Sequence, residues 1–266
     1  MSLNELKRFI AGISSIMRTT VAMRILSMSL NTILKKILSK SQKSLNQILE
    51  IINMLNIRNI EKDNKEILYI FIGAERSLCG NYTNQIKKKF IEATQESSFN
   101  FKYILVGNVF TKLLPEEKKN KAILLVKDFA KKNVENIYKK ILEITKINNT
   151  DEVRIVYRKT KGLFDKEITT KSIFTKYSME KDNRFSFGHF NKSEVLKILE
   201  KIIIKQELIN IIYESLISEQ SARFVAMNAA TNNAKKMVEK GRMMYNKMRQ
   251  TRITRDLQNI VSGLSI

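Results

Sequence analysis

The sequence predicts an α/β protein in which long N- and C-terminal helices pair as an antiparallel coiled coil around an inserted Rossmann-like α/β domain. Three observations carry this. No proline follows Pro115 and no glycine stands between His189 and Lys240, so the last third has no helix breaker. Apolar residues near the N-terminus recur at Leu3, Leu6, Ile10, Ile13 and Met17, spacings of three and four that mark one helical face. Between the two ends, short apolar runs alternate with helical stretches, the rhythm of a mainly parallel sheet with crossover helices.

The first helix is expected over roughly residues 2–58, where Gly12 is the one glycine and proline is absent. Ile33, Leu34, Ile37, Leu38, Leu45, Ile48, Leu49 and Ile52 extend its apolar face. At ~1.5 Å per residue it would span roughly 80 Å, too long to stand without a partner for its stripe. The middle segment, 64–190, changes period. Ile67–Ile72 reads as a buried strand ending at Gly73, Tyr82–Ser97 as a helix, Phe101–Val106 as a strand ending at Gly107, and Ala122–Val126 as a further strand. Val134–Ile147 reads as a helix, Val153–Tyr157 as a strand, and the alternating stretch Ile168–Tyr177, reached through Gly162, as an antiparallel edge. The C-terminal helix occupies 191–266, with Leu196, Leu199, Ile203, Leu208, Ile211 and Ile212 as a coiled-coil seam. The expected organisation is therefore 1–60 shaft helix, 64–190 globular domain and 191–266 shaft helix.

The 48 basic and 26 acidic residues give a formal net charge of +22. Such an excess suits nucleic acid, an anionic membrane surface or an acidic partner. It is spread along the chain and not gathered in one tail, which argues against a dedicated nucleic-acid arm. The abundance of Ile, Asn and Lys points to an AT-rich genome. Cys79 is the single cysteine, so no intrachain disulfide is possible. No uninterrupted apolar run reaches the ~18–20 residues needed to cross a bilayer, and the opening residues, with Glu5 among them, fit neither a secretory signal nor a transit peptide.

Chemistry-bearing motifs are sparse. There is no GxxxxGK[ST], no GxGxxG after a strand, and no Cys/His cluster at zinc spacing, so a scaffold sheet without cofactor or metal is expected. Cys79 follows a strand, but the sole histidine, His189, is distant, and packing is the better reading than catalysis. Glu116 and Glu117 sit beside lysines in a loop-like, solvated stretch. Met227, Met237, Met243, Met244 and Met248 read as core or tunnel-lining positions. Arg242, Lys247, Arg249, Arg252 and Arg255 wrap more than one side of the last helix, which suits a helix among polar or acidic walls.

Several words of the C-terminal helix stand in fixed order: Ala222-Arg223-Phe224-Val225-Ala226-Met227, Ala230-Thr231-Asn232-Asn233-Ala234, Tyr245-Asn246-Lys247-Met248-Arg249-Gln250, Ile253-Thr254 and Ile260-Val261-Ser262-Gly263. They resemble the ARxVAMxxATxNA, YNKxRQxxIT and IVxG pattern of the gamma subunit of F-type ATP synthases. The opening Ser2-Leu3-Asn4-Glu5 and the run Thr20-Val21-Ala22-Met23-Arg24 resemble that family's N-terminal helix, with the small residues after the Ala-Met pair replaced by Leu26-Ser27-Met28-Ser29. Glu75-Arg76-Ser77-Leu78-Cys79-Gly80 resembles an eroded SDRGLCG signature. Asp256 stands where the family usually has glutamate, and Leu264 follows Gly263 where alanine is usual.

The resemblance implies a rotor shaft that makes and breaks no bonds, surrounded by three alpha and three beta subunits that bind the nucleotide. An epsilon-like subunit and a membrane rotor ring are further implied partners, and the implied setting is the cytoplasmic face of a bacterial membrane, with the mitochondrial matrix face as the other option. In the family, the Arg-Gln pair and nearby residues reach catch loops of the beta subunits. Carried over, the rotor–stator contact comprises Met23, Arg24, Arg249, Gln250, Arg252, Thr254 and Asp256. Two other readings compete: a gamma-like shaft coupled to something other than a proton ring, such as a motility machine, and a basic coiled-coil nucleic-acid-binding protein. The second lacks any RNA-binding fingerprint.

Overall fold

The computed structural model describes residues 2–55, 57–59, 66–96, 102–127, 134–147, 150–159, 167–174, 177–179 and 192–263. Two long helices, α1 (Leu3–Met54) and α6 (Lys192–Gly263), bracket the remaining elements. These are β1 (Ile57–Asn59), β2 (Ile67–Ile72), α2 (Tyr82–Glu96), β3 (Lys102–Val106), α3 (Asn108–Lys112), α4 (Glu116–Asn120), β4 (Leu124–Val126), α5 (Val134–Ile147), β5 (Glu152–Lys159), β6 (Glu167–Phe174) and β7 (Tyr177–Met179). The chain divides into two compact units, one joining Met1–Ser27 with Phe224–Ile266 and the other spanning Met28–Arg223.

Helix α1 opens with a reciprocal cap. The Ser2 hydroxyl accepts the Glu5 N–H at 3.2 Å, and the Glu5 carboxylate accepts the Ser2 N–H at 2.7 Å. In the first unit, the covered positions of α1 include Leu6, Ile10, Ile13, Met17, Thr20, Arg24 and Ser27. Those of α6 include Met227, Thr231, Ala234, Val238, Gly241, Tyr245 and Met248. Both series step by alternating fours and threes, the heptad of a coiled coil. The Thr20 and Thr231 hydroxyls lie 3.0 Å apart, and Arg24 Nη1 donates to Asn228 Oδ1 at 3.0 Å. A Cβ on Gly241 would lie 2.9 Å from Ile10 Cγ1. Numbers fall along one helix as they rise along the other, so the pair is antiparallel. In this register the bulky Ile10, Ile13 and Met17 face the small Gly241, Val238 and Ala234, and large-on-small packing lets the helices approach closely.

The second unit contains its own stretch of the same pairing. Asn31 Nδ2 donates to Ser221 Oγ at 2.6 Å and to the Ile217 carbonyl at 3.2 Å, and Gln206 Nε2 reaches the Ser41 hydroxyl at 2.6 Å. Leu196, Leu199 and Ile203 pack with Ile48, Ile52 and Ile57 as the seam reading expected. Leu208, Ile211 and Ile212 do not belong to that seam, because α6 carries a second apolar stripe that lies on the sheet. Ile33 and Leu49 are exposed, so the apolar face of α1 is narrower than its composition suggests. By length and composition α1 alone among the described helices could cross a membrane. Arg18 and Arg24 interrupt that stretch, and the buried Thr20 and Asn31 hydrogen-bond to α6, so protein covers the face they occupy.

The sheet has the order β4-β3-β2-β5-β6, parallel except for the antiparallel edge β6. A separate two-stranded antiparallel ribbon pairs β1 with β7. One sheet face packs Ile70, Ile104, Val106 and Ile155 against α5 and the α6 stripe. The other packs Phe71, Tyr103 and Leu105 against Tyr82, Ile86 and Phe90 of α2 and Phe110 of α3. Gly73 follows β2, and only glycine fits there because a Cβ would sit 2.3 Å from Phe110 Cβ. The stretch holding Glu116 and Glu117 is not a loop. Pro115 caps α4, and Lys119 Nζ lies 2.7 Å from Glu116 Oε1 within it. A single helical turn is too short to show a period in sequence, which is why α3 and α4 were not expected.

Asn210 is 4% exposed, and neither polar atom of its side-chain amide has a hydrogen-bond partner among the described residues. Asn210→Leu is expected to raise stability by ~1–3 kcal/mol, read by denaturant unfolding, because a buried unsatisfied amide costs about that much. The seam predicts that Thr20→Cys/Thr231→Cys oxidises to a disulfide within one chain. Exclusively interchain products on a non-reducing gel would contradict the pairing.

Candidate functional site

The one-for-one register of the first unit places Leu3, the first residue of α1, near Met248 of α6. Beyond that point α6 has no partner from α1, and every residue from 251 to 262 is exposed. This free end is chemically divided. Ile253, Leu257, Ile260 and Val261 form one exposed apolar stripe at helical spacing. Lys247, Arg249, Arg252 and Arg255 occupy the rest of the circumference, all exposed. A helix continued past its partner, with a stripe left open and cations around it, is built to be received by other chains.

The residues expected at a rotor–stator contact fall into two groups. Arg249, Gln250, Arg252, Thr254 and Asp256 stand on the free end. Arg252 Nε and Asp256 Oδ2 are 3.9 Å apart in an open, screened pair, and Thr254 Oγ1 donates to the Gln250 carbonyl at 3.0 Å. Met23 and Arg24 are half-buried lower on the pair, and Arg24 is engaged with Asn228. By the register these two lie some twenty residues of α6 away from Arg249, about 30 Å along a helix. The seven positions therefore form two stations on one helix pair and not a single cluster. Of the five methionines, Met227 is buried and Met248 half-buried, while Met237, Met243 and Met244 are exposed, so those three line no core of this chain.

Cys79 is buried, with Sγ 3.6 Å from the Arg76 carbonyl and 3.7 Å from Thr83 Oγ1. Burial pushes its thiol up, with the Glu219 carboxylate adding to the effect, so it is held protonated and unreactive. His189 lies outside the described residues. Among the described residues no group of three or more His, Cys, Asp or Glu side chains could hold a metal.

Sequence reasoning missed one polar cluster. Glu219 and Arg223 of α6 form a buried ion pair beside the loop after β2. Its trace in the sequence is an i,i+4 Glu–Arg pair on a helix face otherwise lined by Ser215, Ser218 and Ala222, where an exposed ion pair would be out of place.

Comparison with known proteins agrees with this geometry. A family model described as ATP synthase matches residues 2–265. The chain is 28% identical to the ATP synthase gamma chain of Clostridium novyi, over 97% of this chain and 95% of that one. It is 27% identical to the ATP synthase gamma chain of Helicobacter pylori, over 99% and 98%. Among solved structures, a chain of the Tetrahymena thermophila mitochondrial ATP synthase central stalk and c-ring aligns with a TM-score of 0.62 at 16% identity, over 80% of this chain and 99% of that one. A chain of the Euglena gracilis mitochondrial ATP synthase aligns with a TM-score of 0.59 at 16% identity, over 95% and 94%. Matched along nearly its whole length by the family model and by gamma chains alike, the chain belongs to the ATP synthase gamma family.

Proposed function

We propose that the chain is the central rotor shaft of an F-type rotary ATPase, coupling rotation to nucleotide turnover in surrounding alpha and beta subunits. The observation that carries this is the free end of α6: a helix that outruns its partner, cationic around most of its girth, in a chain of the gamma family. The shaft itself performs no bond chemistry. An asymmetric shaft contacts each of three equivalent walls differently, which makes their sites unequal, and turning interconverts them. In this reading residues 1–60 and 191–266 are the shaft helices and 64–190 the foot, set against an epsilon-like subunit and a membrane rotor ring. The complex is peripheral, on the cytoplasmic face of a bacterial membrane.

Met23, Arg24, Arg249, Gln250, Arg252, Thr254 and Asp256 form the proposed contact with the stator. A shaft that must turn cannot hold strong static pairs with its walls, and exposed pairs worth ~0–1 kcal/mol suit it. Each single alanine substitution is therefore expected to change ATP hydrolysis of the reconstituted complex by no more than about five-fold. Met23, Arg24, Arg249 and Gln250 replaced together are expected to leave assembly intact and depress turnover well beyond any single change. Removing residues from Ile253 onward is expected to do more still. Unaltered turnover in the four-fold variant would defeat the contact assignment, and failure to co-assemble with alpha and beta subunits would defeat the shaft.

A further inference from the structure

In an open parallel sheet a ligand settles outside the carboxyl ends of the strands where the strand order reverses. Here the order reverses between β2 and β5. The loop that follows β2 runs from Gly73 to Asn81 and leads into α2. Its successive N–H groups at Glu75 and Arg76 converge on one carboxylate and form a two-donor nest for an anion. The nest is filled from within the second unit. Glu219 Oε2 accepts the Glu75 N–H at 3.0 Å, and Oε1 accepts the Arg76 N–H at 3.3 Å.

Arg223 completes the arrangement with the opposite polarity. It pairs with Glu219, while its Nη2 donates to the Arg76 carbonyl and its Nε to the Ser77 carbonyl, both at 3.3 Å. Glu219 is 2% exposed and Arg223 8%. One ion pair thus satisfies four backbone groups on three consecutive residues. The loop is also tied to the sheet side, since the Glu75 carboxylate accepts the Asn108 N–H at 3.0 Å and the Ala74 carbonyl accepts the Val109 N–H at 3.1 Å. Leu78, at the exposed tip, takes φ +65°, a left-handed conformation that a leucine keeps only where its surroundings over-determine it. Ala222, between the two charged residues, packs in the same cluster as Phe71, Cys79, Tyr82 and Val156.

We infer that Glu219 is a built-in anion in the ligand nest of a Rossmann-like sheet, and that with Arg223 it latches the loop after β2 to α6. The position that would bind a phosphate group is spent on a side chain of the helix, so the sheet and helix move together. The nest itself stands independently of the shaft reading; its mechanical role, carrying torque between sheet and helix, rests on that reading.

The test starts with the full chain. Glu219→Ala is expected to speed amide exchange over residues 74–78 by at least ~10-fold, the loss of a charge-assisted hydrogen bond. Millimolar formate or acetate, small anions able to re-enter the nest beside Arg223, should restore much of the protection. Glu219→Gln, which keeps the volume and one acceptor, should fall between and covers the case in which the alanine variant does not fold. The reversed pair Glu219→Arg/Arg223→Glu should not recover protection, because backbone donors and acceptors cannot be exchanged as charges can. Unchanged exchange in a folded variant, or recovery by the reversed pair, would overturn the nest. In complexes with alpha and beta subunits, a bead on α2 should show wider angular fluctuations with Glu219→Ala than with the unaltered chain. Equal fluctuations beside altered exchange would overturn the mechanical role, whereas an unaltered chain that never rotates would refute the shaft.

Discussion

The register between α1 and α6 is the constraint on which the other features depend. A helix as long as either of these cannot leave its apolar stripe in water, so the stripe must meet another of the same period. The seam positions of the first unit alternate by fours and threes on both helices, and a slip of one residue would turn every one of them off the seam. What fixes the register is not a run of leucines. Thr20 against Thr231, Asn31 against Ser221 and Ser41 against Gln206 are polar contacts with one satisfactory alignment each. Polar residues at seam positions lower stability and raise uniqueness. The same register decides how far α6 outruns α1, and therefore where the cationic free end begins.

The sheet domain obeys a different constraint. Its topology is that of nucleotide-binding folds, yet the geometry at the switch point leaves the loop amides already engaged. Glu219 takes two of them and Arg223 two of the adjacent carbonyls. A fold that elsewhere responds to a ligand is here committed to holding a helix. Buried charge is costly unless paired and hydrogen-bonded, and this pair meets both conditions. Arg158, also buried, lies with its guanidinium 5.0 Å over the Tyr82 ring, and burial lowers its pKa.

Much of this was legible in the sequence because it rests on period. The apolar periods of α1 and α6, the strand runs at Ile67–Ile72 and Val153–Tyr157, and α5 at Val134–Ile147 all declare themselves by spacing. The second apolar stripe of α6 was not separable from the first. Leu208, Ile211 and Ile212 sit at coiled-coil spacing, and only the presence of the sheet shows which side they serve. The short helices α3 and α4 lack the length to show a period. The motif words supplied the seven proposed contact positions, and only the register reveals that they fall at two stations. The nest was invisible because backbone N–H groups leave no letter in the sequence, and its occupant lies 143 residues from Arg76 along the chain.

A rotor shaft of the proposed kind turns as a unit within a ring of other subunits. The most direct measurement attaches a bead to a cysteine introduced at exposed Lys88 on α2, immobilises the alpha and beta subunits, and records the bead while ATP is supplied. Sustained rotation in one direction that stops when nucleotide is withdrawn is the expected result. Hydrolysis by an intact complex with the bead showing only undirected angular diffusion would contradict it.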